Sequence, residues 1–361
     1  MKSRSPVLHP SFKLNGLDFE SAEELLNFAD GLILQGAKHE VQMARFIEQW
    51  LSFDETIMVK SSGSTGKPKK IFLQKEHMIN SAKATGSFFK LGAGTSALLC
   101  LPPKFIAGKM MLVRAMTLGW DLHVVAPEKD ALTQYDNDYD FAAMVPYQVY
   151  HSLEALPKVK KLIIGGVQIT RDLESKLQAV STEVFETYGM TETCTHVAIR
   201  RINGPAMSDS FSALPNVKFS IDDRGCLVIS APEILEEALV TNDIVNLHTP
   251  SSFSWLGRFD NVINSGGVKI FPEKIEEKLS EYIDLPFIIA SKRHQEFGEQ
   301  VIMIIENKDN IQIPNYTAAF STLDPYERPK KIYTISMFPY SKAGKLKRAG
   351  ILEFMKKYLE S

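Results

Sequence analysis

The sequence lacks the features that mark several special classes of protein. Its 361 residues include only three cysteines, Cys100, Cys194 and Cys226, which lie far apart and without the spacing of metal ligands. That pattern excludes a disulfide-stabilised scaffold and is typical of small buried residues in a reducing compartment. No apolar run is as long as a membrane span, and none of signal-peptide length follows the basic start of the chain. We therefore expect a cytoplasmic protein with no stable membrane association.

The sequence also has little excess charge of either sign. It contains 41 lysines and arginines against 43 aspartates and glutamates, for a formal net charge of -2. This balance gives no electrostatic reason to expect nucleic acid as a partner. A chain of this length is expected to form two domains, each with its own core, and a homodimer is compatible with it.

Short apolar strands alternate with helices through the first half of the chain. We predict helices after Ser21 and over residues 39–51, 75–89, 109–118 and 171–179. We predict strands at residues 57–59, 97–101, 122–125, 141–145, 161–164 and 183–186. This alternation indicates an α/β fold, a parallel sheet with helices on both faces. Loops at 61–67, 165–167 and 188–192 each follow a predicted strand, so we expect all three to line one crevice.

The pattern changes after residue 216. Two short strands, 217–221 and 226–230, flank a turn and predict a small β region. A last unit begins near residue 258 and contains a helix that starts at Pro272. We predict a large domain over residues 1–259 and a small α+β domain over residues 260–361.

Four segments carry residues suited to chemistry, and each also has a plain structural interpretation. A loop rich in serine and glycine at 61–70 favours polyphosphate binding or a flexible linker; its lysines and its position after a strand favour phosphate. The segment 188–193 offers a threonine hydroxyl and a carboxylate suited to Mg²⁺, or simply a turn before a capped helix. Segment 257–273 is a ligand-facing stretch or a domain boundary with a hairpin, and segment 339–348 presents a lysine or is a solvated basic loop.

Taken in order, these segments resemble the motifs of the adenylate-forming superfamily of acyl- and aryl-CoA synthetases, luciferases and peptide-synthetase adenylation domains. Four matching stretches, 62–69, 188–192, 257–276 and 339–348, fall in or overlap these segments, and a fifth match lies at 241–243. The resemblance implies that ATP activates an organic acid as its acyl-AMP and that the acyl group then passes to the thiol of CoA. ATP, Mg²⁺, CoA and a small carboxylic acid are therefore the expected ligands.

The resemblance implies a role for each residue of the motifs. The β- and γ-phosphates of ATP would be held by Ser61, Ser62, Gly63, Ser64, Thr65, Gly66 and Lys67. Adenine would be framed by Gly165, Gly166, Val167, Glu186, Thr187 and Tyr188, with Gly189 completing the nucleotide-binding set. Thr191 would contact the α-phosphate, Glu192 would bind Mg²⁺, and Asp243 would bind the ribose hydroxyls with help from Arg258.

The remaining implied roles concern catalysis and movement. Lys345 would bridge the acid and the α-phosphate, so Lys345, Thr191 and Glu192 form the expected catalytic set. The C-terminal domain would be mobile, rotating between two half-reactions about a hinge at Asp260. The CoA tunnel would be bordered by Gly266 and Gly267.

Within the superfamily the chain most resembles the o-succinylbenzoate–CoA ligases of menaquinone biosynthesis, through segments 159–166, 261–267 and 296–298. Such a substrate needs a counter-charge for its second carboxylate, and Lys109 and His196 are the candidates; a surface lysine and a hydrogen-bonded histidine are the alternatives. The chain departs from the family in Asn242, where glycine is usual, and in having only 60 residues before the phosphate loop. The N-terminal region is thus expected to be shortened.

Other functions stay open at this stage. A ligase for another aryl or fatty acid, or one that loads a carrier protein, shares every motif. A regulatory protein that binds nucleotide without catalysis would not need Lys345, Glu192 and Thr191 together. A kinase or NTPase would need a phosphate loop with a different lysine context.

Overall fold

The computed structural model describes residues 8–60, 69–133, 136–340 and 346–359, and these ranges form three sheets with helices packed against them. The helices are α1 (Ala22–Gln35), α2 (Lys38–Leu51), α3 (Lys75–Phe89), α4 (Ile106–Leu118), α5 (Pro146–Tyr150), α6 (Arg171–Leu177), α7 (Pro272–Leu279), α8 (Thr317–Ser321) and α9 (Arg348–Leu359). The strands up to residue 258 are β1 (Lys13–Leu14), β2 (Leu17–Asp18), β3 (Thr56–Lys60), β4 (Lys70–Gln74), β5 (Ser96–Leu99), β6 (Asp121–Val124), β7 (Tyr139–Met144), β8 (Val159–Ile164), β9 (Glu183–Gly189), β10 (His196–Arg201), β11 (Phe211–Ala213), β12 (Lys218–Ile221), β13 (Cys226–Ser230), β14 (Leu239–Thr249) and β15 (Ser252–Arg258). The strands after residue 258 are β16 (Ile263–Ser265), β17 (Val268–Ile270), β18 (Phe287–His294), β19 (Gly298–Glu306) and β20 (Ile332–Ile335).

The main sheet is parallel in one half and antiparallel in the other. Its order is β12-β13-β14-β15-β11-β10-β9-β8-β7-β5-β6-β1-β2. The strands β6, β5, β7, β8 and β9 run parallel, whereas β9 through β15 pair antiparallel. The α/β fold that the alternation predicts is confirmed.

The parallel strands are buried on both faces, as their continuous apolar runs predict. In β7, Phe141 and Ala143 pack in one cluster with residues of α3 and α4. Ala142 and Met144, on the other face of the same strand, pack with residues of α5 and α6. Helices therefore cover both faces of the sheet, which leaves its strand ends as the place for a ligand.

The hairpin of β3 and β4 corrects one sequence-based expectation. The strand predicted at 57–59 pairs only with β4, antiparallel, in a separate two-stranded sheet. The expectation that it joins the parallel sheet is wrong, because a short apolar run indicates a strand but not its partner. Lys60 lies opposite Lys70, so the serine and glycine loop connects the two strands of this hairpin.

The residues after 258 form the second, five-stranded sheet. The helix α7 packs on one face through Ile275 and Leu279, and α9 packs on the other through Ile351 and Met355. The change of sheet falls between Arg258 and Ile263. That position is close to the predicted boundary at 259/260, and the division into two domains stays a prediction.

The helix α4 is almost entirely buried and carries two cationic side chains into the interior of the large sheet region. All residues from Gly108 to Met116 are buried, and two of them, Lys109 and Arg114, are cationic. The helix ends at Gly119, whose φ of 75° is left-handed and whose N–H donates to the carbonyl of Ala115. Among the described residues, no helix is long and apolar enough to cross a membrane.

Candidate active site

The ends of β8 and β9 bring two predicted nucleotide-binding segments together. The two strands are parallel neighbours, with Ile164 opposite Glu186. A Cβ on Gly165 would lie 2.5 Å from the Thr187 hydroxyl oxygen, so a larger residue would displace this hydroxyl from its hydrogen bond to the Ile164 carbonyl. Gly166 follows with a φ of 96°, and Val167 is 45% exposed. Backbone groups and one apolar side chain are thus open to a flat ring at this edge.

The loop after β9 turns back sharply and presents Thr191 and Glu192. A Cβ on Gly189 would lie 2.2 Å from the carbonyl oxygen of Thr195, which only glycine avoids. The Thr193 hydroxyl accepts the Met190 N–H at 3.0 Å and lies 2.7 Å from the carbonyl oxygen of Thr195. This bracing leaves Thr191 half-buried and Glu192 exposed.

Glu192 suits the Mg²⁺ ion that the motif implies. The described residues contain no cluster of three or more histidine, cysteine or acidic side chains that would hold a metal by themselves. Mg²⁺ is usually held by one or two carboxylates together with substrate phosphates and water. A single exposed carboxylate beside a nucleotide therefore fits this ion, and the assignment of Glu192 stays a prediction.

The side chain of Glu186 is engaged within the fold. Its carboxylate lies 2.5 Å from the Arg200 guanidinium and accepts the Ile169 N–H at 3.1 Å. Arg200 also pairs with Glu174 of α6. Glu186 thus ties β9 to β10 and to the 165–170 loop, and only its backbone is left for the predicted contact with adenine.

Asp243 and Arg258 lie opposite each other on β14 and β15. This is the arrangement expected if both residues contact the same ribose. The Asp243 carboxylate, only 7% exposed, accepts hydrogen bonds from the Tyr188 hydroxyl at 2.7 Å and from Arg258 at 3.4 Å. Burial, reinforced by Asp243, raises the pKa of Tyr188 well above its usual value, so this phenol stays a donor. Tyr188 and Asp243 are 55 positions apart in sequence, and the sheet brings them together.

Asp260, the predicted hinge residue, lies in a surface network with Asn242. The Asn242 amide donates to Asp260 at 3.3 Å, and Arg258 reaches the same carboxylate oxygen at 3.3 Å. Arg224 donates to the side-chain oxygen of Asn242 at 3.1 Å. The asparagine that replaces the usual glycine therefore contacts the segment at which the hinge is expected.

The structure gives less information on two further groups of predicted residues. Gly266 and Gly267 form the turn between β16 and β17, with φ values of 58° and 83°, and their role at a CoA tunnel stays a prediction. The phosphate loop, Ser61 to Lys67, and the catalytic Lys345 lie outside the described residues.

Lys109 is a buried cation whose ammonium lies 4.3 Å from the centre of the Phe46 ring. In the part of the chain that the structure describes, no ion pair joins it to an acid. Burial lowers the pKa of Lys109 to about 8.

His196 is buried, and it is neutral rather than a counter-charge. Its Nδ1 lies 3.5 Å from the Arg114 guanidinium and its Nε2 lies 3.4 Å from the Thr85 hydroxyl. Burial, together with the charge of Arg114, lowers the pKa of His196 well below its usual value. The ring therefore accepts a hydrogen bond from the arginine, and the cation at this position is Arg114.

Arg114 is the functional candidate that the sequence reading misses. It is 1% exposed and also reaches the hydroxyls of Thr85 and Thr195, each at 3.4 Å. No acid pairs with it among the described residues, and burial lowers the pKa of Arg114 to about 9. A lone arginine within the apolar stretch 110–116 was the signal available in the sequence. A buried cation without a counter-ion is costly, so Arg114 is a candidate for pairing with an anion.

Replacing Lys109 with methionine should stabilise the protein without substrate. The folded-state pKa of about 8 lies below the usual value of 10.5, so a charged Lys109 lowers the free energy of unfolding. The penalty is on the order of 3 kcal/mol below pH 8 and disappears as the pH rises towards 10.5. Urea unfolding at pH 7, 8, 9 and 10 should show stability rising with pH in the wild type relative to Lys109→Met.

The matched control for this comparison is Lys104→Met, which removes an exposed lysine from the same segment. Its stability should follow that of the wild type at every pH. If the stability of Lys109→Met and that of the wild type change with pH in parallel, burial does not lower the pKa of Lys109.

Comparison with known proteins defines the class. The model of the AMP-binding enzyme family matches residues 24–228, and the chain belongs to this family. This confirms the superfamily resemblance carried by the sequence motifs. The loops after β8 and β9, described above, lie within the matched range.

Three known proteins illustrate the similarity. The probable 2-succinylbenzoate–CoA ligase of Mycobacterium tuberculosis is 25% identical over 96% of this chain and 97% of its own length. The structure of an acyl-CoA synthetase (AMP-forming)/AMP-acid ligase II-like protein from Dyadobacter fermentans is 33% identical, with a TM-score of 0.62 over 91% of this chain and 98% of that one. The o-succinylbenzoate–CoA synthetase of Bacillus subtilis, solved with ATP and magnesium, has a TM-score of 0.71 over 81% of this chain and 68% of that one. At 19% identity this last likeness shows the fold alone.

Proposed function

We propose that the protein is an ATP-dependent acid–CoA ligase that forms an acyl-AMP and then a thioester with CoA. Membership of the AMP-binding enzymes and the names of the similar ligases support this activity. The chemical logic is that a free carboxylate is a poor acyl donor because oxide is a poor leaving group. Attack of the carboxylate on the α-phosphorus, with pyrophosphate leaving, produces an acyl-AMP from which AMP leaves readily.

The proposed nucleotide site assigns each group of ATP to a described or predicted segment. Adenine lies against the ends of β8 and β9, and Asp243 with Arg258 binds ribose. Thr191 contacts the α-phosphate, and Glu192 holds Mg²⁺, which would neutralise charge on the phosphate oxygens. The phosphate loop and Lys345 complete the site. Because charge moves between oxygens without a covalent enzyme intermediate, positioning and electrostatic stabilisation supply most of the catalysis.

We further propose that the acid carries a second carboxylate and that it is o-succinylbenzoate. The observation that carries this step is Arg114, a buried cation with no acidic partner among the described residues, touching Thr195 and His196 next to the Thr191–Glu192 loop. Binding a carboxylate would supply the missing counter-ion. The similar protein of Mycobacterium tuberculosis, named for 2-succinylbenzoate, supports the same acid.

In the proposed cycle the C-terminal unit changes position between the two half-reactions. Asp260 is the hinge, Lys345 serves adenylation, and the Gly266–Gly267 turn borders the path of CoA. Two ion pairs of Arg171 on α6, with Glu277 and Glu281, join the regions before and after the hinge in this conformation. A rotation about Asp260 would break them.

Release of AMP and pyrophosphate from ATP, Mg²⁺, CoA and a panel of acids tests the proposal. The panel should include o-succinylbenzoate, benzoylpropionate, which lacks the carboxylate on the ring, benzoate, which lacks the side chain, and a fatty acid. We expect release with o-succinylbenzoate and at least ~10²-fold lower kcat/KM for acids with one carboxylate, since a buried charge would be left unpaired. Release with a different acid would keep the ligase activity and reject this substrate. ADP as the product, or no release with any acid, would reject the ligase itself.

A further inference from the structure

Arg200 makes contacts that no predicted motif includes. It lies on β10 opposite Glu186 of β9, and its guanidinium pairs with the carboxylate of that residue at 2.5 Å. A second nitrogen of the same guanidinium pairs with Glu174 of α6. The arginine side chain is only 14% exposed, and its guanidinium lies 5.8 Å from the centre of the Phe211 ring. One largely buried cation therefore joins a strand and a helix that both adjoin the predicted adenine site.

The strand β9 holds the loop that connects β8 to α6. At the start of this loop, the Thr187 hydroxyl donates to the Ile164 carbonyl at 3.0 Å. Near its end, the Ile169 N–H donates to one carboxylate oxygen of Glu186 at 3.1 Å. The predicted adenine-binding residues 165–167 lie between these two attachments. The position of the loop therefore depends on the orientation of the Glu186 side chain.

The orientation of Glu186 depends in turn on Arg200, because the arginine neutralises two acids that would repel each other. Burial raises the pKa of Glu174, and the negative charge of Glu186 acts in the same direction, whereas Arg200 lowers it. Without the arginine, two partly buried carboxylates would face each other. We then expect the Glu186 carboxylate to turn away or to take up a proton, and either change would alter its bond to the Ile169 N–H.

We propose that Arg200 is a positioning residue for recognition of the adenine base. By pairing with Glu186 and Glu174 it fixes the loop at 165–167 against the end of β9, where the base is expected to lie. This inference rests on the proposed function, because it takes that loop as the adenine site. It adds that a charge network centred on β10 controls the preference of the protein for adenine over another purine.

The test compares Arg200→Met with Arg200→Lys, which keeps the charge but lacks the planar fork that holds two carboxylates at once. Calorimetric titrations in the presence of Mg²⁺ give the Kd of ATP and the Kd of GTP. In both variants the Kd of ATP should rise roughly tenfold, as for one lost hydrogen bond to the base. The Kd of GTP should change by less than about twofold, because a base that does not fit the loop gains little from its position. Turnover at saturating ATP should stay within about twofold of the wild type.

The chain offers a matched control in Arg201, the next residue of β10. It pairs with Glu183 of β9 at 2.8 Å, and its guanidinium lies 4.9 Å from the centre of the Phe185 ring. Arg201→Met therefore removes an arginine and an ion pair between the same two strands without removing a contact of Glu186. It should leave the Kd of ATP and the preference over GTP unchanged.

A double variant separates positioning of the loop from support of the fold. Glu186→Leu removes the partner of Arg200 together with the acceptor of the Ile169 N–H. Combined with Arg200→Met, it leaves fewer unpaired charges, so the double variant should be more stable to heat than Arg200→Met alone. Its preference for ATP over GTP should nevertheless stay as low as in Arg200→Met, because both substitutions act on the same loop.

The outcomes separate this inference from the proposed function. An unchanged preference for ATP in Arg200→Lys and Arg200→Met would overturn the positioning role, and so would a preference that returns with stability in the double variant. A reduced preference in these variants, in a protein that releases no AMP with any acid, would support the positioning role and reject only the ligase. A wild-type protein that binds neither ATP nor GTP would overturn both.

Discussion

Lys345→Ala should slow formation of the acyl-adenylate by at least ~10²–10³-fold, the loss typical of removing a charge that stabilises a transition state. Thioester formation from supplied acyl-AMP should continue near the wild-type rate. The reason is that the first half-reaction builds charge between the carboxylate and the α-phosphate, where the ammonium group is assigned. The second half-reaction breaks the acyl–phosphate bond after the proposed domain rotation has moved the Lys345 ammonium group away from the site.

Two assays measure the halves separately. Exchange of labelled pyrophosphate into ATP reports adenylation, and consumption of supplied acyl-AMP with CoA reports thioester formation. Lys347→Ala is the matched control, because Lys347 is exposed and lies two residues away. An equal loss of both half-reactions in Lys345→Ala would reject its assignment.

The described residues on either side of Lys345 are firmly attached to the second sheet. Tyr340 and Leu346 form a β-bridge, and the Lys347 N–H donates to the Pro339 carbonyl at 2.9 Å. Arg348, at the start of α9, pairs with Glu276 of α7 and donates to the carbonyl of Ile289. These contacts are made by residues other than Lys345, so we expect them to be kept in Lys345→Ala.

Arg114→Met should lower kcat/KM for o-succinylbenzoate by on the order of 10²-fold, because the second carboxylate would enter a buried site without its partner. Activity with benzoylpropionate or another acid with one carboxylate should change little or rise. The same substitution should stabilise the protein without substrate by about 1–4 kcal/mol, since an apolar side chain replaces a buried unpaired charge. Steady-state kinetics with both acids and thermal unfolding check the two effects.

The opposite signs of these two effects make the prediction specific. Arg45→Met is a suitable control, because Arg45 is exposed on α2 and its loss should alter neither quantity. A variant of Arg114 that loses activity equally with both kinds of acid would indicate that the arginine supports the fold. A variant that is less stable than the wild type would lead to the same conclusion.

Local patterns in the sequence predicted most of the helices well. The helix α3 covers the predicted residues 75–89, and α2 begins one residue before the predicted start at 39. The predicted cap of α1 is present, since the Ser21 hydroxyl accepts the Glu24 N–H at 3.2 Å. Caps and apolar periodicity act within a few residues, so a single sequence contains them.

Pairing between distant strands could not be predicted in the same way. The register of β14 and β15, with Asp243 opposite Arg258, depends on packing across the antiparallel half of the sheet. The separate hairpin of β3 and β4 is a second example, because the sequence indicates each strand but not the sheet to which it belongs.

The sequence by itself determined the class of protein and most of the predicted nucleotide contacts, because motifs such as 188–192 place reactive groups within one short turn. Only the tertiary structure decided which of those groups are free. In the folded protein the Glu186 carboxylate pairs with Arg200, and His196 accepts a hydrogen bond from Arg114. The Trp255 indole N–H donates to Asp243. Burial and partners arise from contacts between segments far apart in the chain. These contacts determine which polar groups are neutral, which are paired within the fold and which have no partner and could bind a ligand.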